Sequence, residues 1–174
     1  MISYKTLNKD NPKLNCRLKN FKKFSPKRII LDNNLNLNTK SYLFKTADKN
    51  NTIVFYNEAD KSKIYEFKKN KINLIKSKIN KDKKFNIMII MKKLYNIGCR
   101  NILIEGGDVL TNYLLKKKLF NKFYLFKSPK KIPKLVEYKI FNSLKILKQK
   151  YKNKRKLKKN FSKDSIILYM NQNV

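Results

Sequence analysis

Asn101-Ile102-Leu103-Ile104-Glu105-Gly106-Gly107-Asp108-Val109-Leu110-Thr111-Asn112-Tyr113-Leu114-Leu115 is the stretch whose reading decides the fold. Ile102, Leu103 and Ile104 form a short branched apolar run, whereas Val109, Leu110, Tyr113 and Leu114 recur at helical spacing. The pattern predicts a central buried strand over residues 102–104 and a helix from about residue 108 to 117. Between the two lies the only Gly-Gly pair of the chain. Such a pair lets the backbone turn sharply and come close to a ligand, and the first N–H groups of the following helix face whatever lies there. That is an arrangement suited to phosphate. Glu105 sits at the carboxyl end of the strand, where open α/β sheets place their ligands. A tight turn with a solvated glutamate accounts for these residues equally well.

Working outward, strands and helices alternate. The run 28–32 reads as a buried strand ending in Asp32 and an Asn-Asn turn, and 41–44 as a helical turn. A strand at 52–56 precedes a charged helix over 58–69, with apolar contacts from Ile64, Tyr65 and Phe67. Another strand at 72–75 precedes a helix over 85–96. Ile87, Met88, Ile90, Met91, Leu94 and Tyr95 give that helix a broad apolar face, and Gly98 stops it. This alternation argues for a largely parallel sheet covered on both faces. Before it, residues 1–17 are mostly polar, with a turn at Asp10-Asn11-Pro12, and Leu14, Cys16 and Leu18 alternate like a short edge strand. After the Gly-Gly helix, 120–126 is apolar and aromatic, and Pro129 and Pro133 interrupt the pattern. A basic run over 150–159 reads as an exposed strand face, and 165–170 as a closing strand. These late strands suggest an antiparallel ribbon at one edge of the sheet.

Composition narrows the function. The 174 residues suit one domain with a real core. A formal charge of +33 invites a nucleic-acid reading, yet the lysines are spread through every segment and accompany abundant Asn, Ile, Phe and Tyr. A codon bias toward adenine and thymine explains that pattern, and nonspecific polyanion binding follows from charge alone. Cys16 and Cys99 are isolated and histidine is absent, which excludes a zinc site, a Cys-His nucleophile and zinc deaminase chemistry. No basic-then-apolar leader opens the chain, and its longest apolar run, 87–91, is too short to span a bilayer. The expectation is a cytoplasmic protein with reduced thiols and no membrane partner.

The segment 98–107, with Leu110, Leu114-Leu115, Leu119-Phe120-Asn121-Lys122-Phe123 and Ser128-Pro129-Lys130, resembles the reductase domain of the bacterial riboflavin-biosynthesis deaminase/reductase, RibD. Thr6-Leu7-Asn8-Lys9-Asp10-Asn11-Pro12-Lys13-Leu14-Asn15-Cys16-Arg17 is similar to that family's threonine, aspartate, proline, leucine and arginine loop. Pro26-Lys27-Arg28-Ile29-Ile30-Leu31-Asp32 is similar to its next strand. The resemblance implies an α/β, dihydrofolate-reductase-like fold with a mostly parallel central sheet flanked by helices and an antiparallel C-terminal edge. It also implies NADPH-dependent reduction of the ribose of 5-amino-6-(5-phosphoribosylamino)uracil to the ribitylamino product. Cofactor contacts would fall on Thr6, Asp10, Asn33, Gly107, Asp108, Val109, Leu110, Thr111, Asn112 and Tyr113. Substrate contacts would fall on Leu14, Arg17 and Glu105, the guanidinium suiting a phosphate because it donates in a bidentate fork. No catalytic residue is assigned, since the cofactor carries most of the chemistry.

Some features depart from the family pattern. Residues 1–174 read as a single reductase-like domain that lacks the family's first strand, with its lysine and Ser-Leu-Asp-Gly-like turn, and lacks the preceding deaminase domain. The expectation is a poor or inactive reductase in isolation, pairing as a homodimer or with a chain that supplies the missing strand. Asp108 puts a carboxylate beside the expected phosphate, where it could instead serve as a helix-start residue favoured by the dipole. The competing reading is a basic nucleic-acid-binding or assembly protein on a decayed reductase scaffold, with aromatics interleaved among lysines at 120–127.

Overall fold

The computed structural model describes residues 1–130, 143–158 and 163–171, which form two compact units, Met1–Gly106 and Gly107–Val174. The expectations at Pro133 and Lys159 lie outside the described residues.

The first unit is built on four parallel strands in the order β1 (Ile2–Ser3), β2 (Arg28–Leu31), β3 (Thr52–Tyr56) and β4 (Asn73–Lys76). In register, Ile30 lies beside Val54 and Leu31 beside Phe55. Parallel strands need crossovers, and here these are α1 (Tyr4–Asp10), α2 (Tyr42–Lys45) and α3 (Lys61–Lys69), with α4 (Ile87–Asn96) following β4. Ile29, Ile30, Ile53, Val54 and Phe55 are all buried, so both faces of the sheet are covered, as an unbroken apolar run requires. Ile2, Leu7, Ile30, Leu43, Val54 and Phe67 meet in one core.

Short helices are held by caps rather than by propensity. Ser3 caps α1 by accepting from the Thr6 N–H, and Asn11 ends it in the left-handed region at φ 41°. Asparagines then dock α1: Asn8 Nδ2 donates to the Asn36 carbonyl, and Asn11 Oδ1 accepts from the Tyr42 N–H. Arg28 is buried, and among the described residues no carboxylate hydrogen-bonds to it. Its guanidinium instead donates to Thr52 Oγ1, Thr46 Oγ1, the Thr46 carbonyl and Asn51 Oδ1, tying β2 to the turn before β3.

The second unit contains α5 (Asp108–Lys116), β5 (Lys122–Lys127), α6 (Ser143–Lys150), β6 (Lys154–Lys156) and β7 (Ser165–Met170). Its strands form an antiparallel sheet in the order β5-β7-β6. Leu115, Leu147, Tyr151 and Tyr169 make its core, and the buried Tyr151 hydroxyl donates to the Leu115 carbonyl. The antiparallel ribbon thus forms a sheet of its own within this unit.

Several expectations are corrected. Residues 102–104 are not a central buried strand. They belong to no strand of the first unit's sheet, Leu103 accepts from the Met1 amino group just before β1, and Leu103 is 71% exposed. Leu14, Cys16 and Leu18 form no strand, because Leu14 takes φ 46° and breaks the extended path. Tyr65, Met88 and Tyr95 point to solvent, since Phe67 and the partly buried Ile64 fill the core side of α3 and Ile87, Ile90 and Leu94 fill that of α4. Helices α1 and α6 were not foreseen; the first buries only Leu7 and carries no apolar stripe.

Asp32 follows β2 and is fully buried. Its Oδ2 accepts from the Leu37 N–H at 2.7 Å, while Oδ1 has no hydrogen-bond partner. Desolvation raises its pKa above 3.8, although the backbone N–H groups of Asn36, Leu37 and Asn34 oppose this. Between 3.8 and the raised value, the folded chain retains a proton that the unfolded chain has lost. Stability from this group therefore rises on acidification through that window and falls as pH increases through it. Denaturant melts of wild type and Asp32→Asn at neutral and mildly acidic pH should show wild type gaining relative to the variant as pH falls; a pH-independent difference would contradict the assignment.

Candidate functional site

A cleft of about 620 Å³ opens within the first unit. One wall is the loop after α1, contributing Pro12, Lys13, Leu14, Asn15 and Arg17; another is the entry to β2, with Pro26, Lys27 and Arg28; the third is the extended segment ending at Glu105. Leu14, Arg17 and Glu105, the three expected substrate contacts, therefore line the same cleft.

Local chemistry places each wall. Two backbone hydrogen bonds hold the Glu105 segment: the Met1 amino group donates to the Leu103 carbonyl at 2.6 Å, and the Glu105 N–H donates to the Met1 carbonyl at 3.1 Å. This is a rung of a parallel ladder, with Met1 opposite Ile104. Burial pulls the Met1 amino group down to a pKa of about 6, and the nearby Glu105 carboxylate opposes that shift. The opposite wall is held under strain. Leu14 sits in the left-handed region at φ 46°, which costs a residue with a Cβ about 1–2 kcal/mol. The loop is pinned beyond it by Ser25, whose hydroxyl accepts from the Cys16 N–H at 3.1 Å and donates to the Lys22 carbonyl at 2.6 Å.

The charge balance favours an anionic ligand. Lys13, Arg17 and Lys27 stand against one carboxylate, Glu105, while the fourth cation, Arg28, is committed to its threonine and asparagine partners. Lys27 and Asn15 were not foreseen as site residues. Nothing in a basic, asparagine-rich sequence distinguishes them before their walls come together.

The expected cofactor residues are distributed over both units. Thr6 lies in the first turn of α1, its hydroxyl 3.1 Å from Ser3 Oγ, and Asp10 is exposed near the end of that helix. Asn33 follows β2, where its Nδ2 donates to the Lys83 carbonyl at 2.7 Å. Neither Thr6, Asp10 nor Asn33 lines the cleft. In the second unit, Gly107 is the N-cap of α5 and supplies no side-chain cap. Val109 and Leu110 therefore offer first-turn N–H groups that no side chain of the helix start has taken. Gly107 has φ −65° and ψ 171°, ordinary extended geometry that does not itself require glycine. Asp108 Oδ1 accepts from the Ser143 N–H at 3.2 Å and from Ser143 Oγ at 2.7 Å, which turns this carboxylate toward the start of α6. Thr111 is buried, Val109 is exposed, and Leu110, Asn112 and Tyr113 are half-buried.

A parallel sheet with crossover helices, followed by a helix with an open N-terminus and an antiparallel ribbon, defines a dihydrofolate-reductase-like reductase fold. The solved RibD of Acinetobacter baumannii shares it, with a TM-score of 0.68 over 97% of this chain and 45% of that one, at 16% identity. The model of the RibD C-terminal domain matches residues 1–162, and the chain belongs to that family. Among its relatives, the riboflavin biosynthesis protein RibD of Actinobacillus pleuropneumoniae is 28% identical over 130 residues, covering 75% of this chain and 34% of that protein. A 5-amino-6-(5-phosphoribosylamino)uracil reductase of Buchnera aphidicola is 29% identical over 141 residues, covering 75% of this chain and 65% of its own length. The chain thus spans about a third of the Actinobacillus relative.

Because the Ser25 hydroxyl ties the Cys16 N–H of the strained loop to the following turn, Ser25→Ala should cost roughly 1 kcal/mol of local stability, a typical net hydrogen-bond contribution. Hydrogen exchange at the Cys16 amide should accelerate several-fold while amides in β3 keep wild-type rates; equal protection of Cys16 in the two proteins would show that the loop is held by something else.

Proposed function

We propose that the chain is a reductase of riboflavin biosynthesis that acts on the ribose of 5-amino-6-(5-phosphoribosylamino)uracil with NADPH, giving the ribitylamino product. The observation that carries this reading is the convergence of Leu14, Arg17 and Glu105 on one cleft. Leu14 and Arg17 lie on the loop after α1 and Glu105 on a segment far from it in sequence, and the family resemblance points to all three. The Buchnera relative, named for reduction of this compound, supports the choice of substrate.

The division of labour follows from the residue types. The Arg17 guanidinium is a planar fork matched to phosphate oxygens, with Lys13 and Lys27 adding charge at the same cleft. Glu105 accepts hydrogen bonds from hydroxyl or N–H groups of the ligand. Leu14 offers an apolar surface to the ring. The open first turn of α5 fits a dinucleotide phosphate through the Val109 and Leu110 N–H groups, and Gly107 keeps the approach clear. Thr6, Asp10 and Asn33 in the first unit, and Gly107, Asp108, Val109, Leu110, Thr111, Asn112 and Tyr113 in the second, keep the cofactor role that the resemblance assigns. NADPH would supply the hydride; the protein orients the ribose carbon and excludes water. The family match, which crosses the boundary between the two units, supports treating both as one reductase domain. Among the described residues no helix is long and apolar enough to cross a membrane, and a cytoplasmic location is part of the same proposal.

A second reading has one specific observation behind it: every residue of β6, Lys154-Arg155-Lys156, is exposed. Binding of single-stranded nucleic acid that persists at high salt would favour it, whereas binding lost on adding salt would reflect net charge.

Calorimetric titration separates the proposed subsites. Arg17→Lys should weaken the phosphorylated substrate roughly ten- to hundredfold, the worth of a hydrogen bond to a charged group, and leave NADPH affinity unchanged. Gly107→Val should do the reverse. Wild type that binds neither compound would overturn the proposal.

A further inference from the structure

We propose that Asn15 is a specificity-determining residue of the cleft, its side-chain carbonyl accepting a hydrogen bond from an N–H group of the pyrimidine. The inference rests on the substrate reading above and assigns a further contact to it.

The starting observation is a missing bond. Asn15 Oδ1 is buried and has no hydrogen-bond partner, although Asn15 itself lines the cleft. A buried acceptor without a donor costs stability, and native structures retain few of them. The Asn15 wall is also held in an unfavourable conformation. Leu14 immediately before it has φ 46°, and the N–H of Cys16 immediately after it is fixed to Ser25 Oγ. Asn15 thus sits between a strained residue and a pinned one, so its backbone is held at the cleft wall. Strain of this kind persists where the surroundings over-determine the backbone, and it clusters at ligand-binding positions.

Chemistry then selects the ligand group. Lys13, Arg17 and Lys27 are all donors and match a phosphate, whereas Oδ1 is an acceptor and can only be satisfied by a donor. Ionised phosphate offers none. A 5-aminouracil ring offers N–H groups on its ring and exocyclic nitrogens, and Leu14 beside Asn15 suits its flat face. A site that hydrogen-bonds a substrate N–H rejects analogues lacking it, because their binding would leave the protein acceptor unpaired. Asn15 would therefore distinguish an aminopyrimidine from other phosphorylated sugars that Arg17 alone would admit.

The test compares wild type, Asn15→Leu, Asn15→Asp and Arg17→Ala by calorimetric titration with 5-amino-6-(5-phosphoribosylamino)uracil and with ribose 5-phosphate, together with the Tm of each free protein. Asn15→Leu, similar in size but without an acceptor, should lose roughly ten- to hundredfold in affinity for the pyrimidine compound. Its affinity for ribose 5-phosphate should be unchanged, and its Tm equal to wild type or higher. Asn15→Asp retains an acceptor and should stay within a few-fold of wild type. Arg17→Ala should weaken both ligands. A lower Tm or unfolding of Asn15→Leu would show that Asn15 is structural and would overturn the inference. So would unchanged affinity of Asn15→Leu for the pyrimidine compound, or an equal loss for the two ligands. If Arg17→Ala weakens both ligands while Asn15→Leu weakens neither, the substrate reading stands and this inference alone fails; if wild type binds neither ligand, both fall.

Discussion

Parallel strands cannot be joined by a tight turn, and the first unit is shaped by that constraint. Each of β1, β2 and β3 must be followed by a crossover, which uses α1, α2 and α3 in turn. The crossovers cover the apolar strands and leave long connections at the ends of the sheet. The connection between α1 and β2 is the one that builds the cleft, since it carries Leu14, Asn15, Arg17, Pro26 and Lys27. The facing wall depends on a single rung of backbone pairing between Met1 and residues 103 and 105. Cleft geometry is therefore a consequence of sheet topology, while its strain and charge are local additions.

How legible the fold was depended on whether burial leaves a composition signal. Strand β3 is Thr-Ile-Val-Phe-Tyr and β7 is Ser-Ile-Ile-Leu-Tyr-Met, and both were read with the observed bounds because unbroken branched or aromatic runs have few other uses. Helix α5 was legible from its periodicity and its glycine start, and α2 only as a helical turn over 41–44. The first helix was not, because Tyr4–Asp10 is polar and is held by a local Ser3 cap and by Asn8 and Asn11 contacts with distant backbone. Residues 102–104 show the opposite failure. Their composition is that of a core strand, but composition says nothing about how many neighbours a strand has, and here only one edge is paired among the described residues. Leu14, Cys16 and Leu18 alternate like a strand, yet periodicity cannot see a left-handed Leu14.

The site was legible through the resemblance rather than through physics read from the chain. Leu14 and Arg17 were carried by their places in one stretch and Glu105 by its place in another, and the cleft brings them together. Asn15 and Lys27 had no such marker among so many asparagines and lysines. An unpaired carbonyl is visible only after folding, when the absence of a donor can be observed. Net charge was the least informative feature of all: with 44 lysines and arginines against 11 acidic residues, a cation at any given surface position is expected. What distinguishes the cleft is that its cations are gathered around one carboxylate. Arg28 shows that even a buried guanidinium can be architectural, with four hydrogen bonds to side-chain and backbone oxygens.

The central claim is that one cleft in the first unit recognises the phosphorylated pyrimidine. Amide chemical-shift mapping of the isotope-labelled chain during titration with 5-amino-6-(5-phosphoribosylamino)uracil tests it most directly, because it reports position without presupposing turnover. The account predicts saturable shifts concentrated at Leu14, Asn15, Arg17, Lys27 and Glu105, with the β6 amides of Lys154, Arg155 and Lys156 unmoved at moderate salt. Shifts that instead follow exposed lysines across both units and vanish as salt is raised would contradict it.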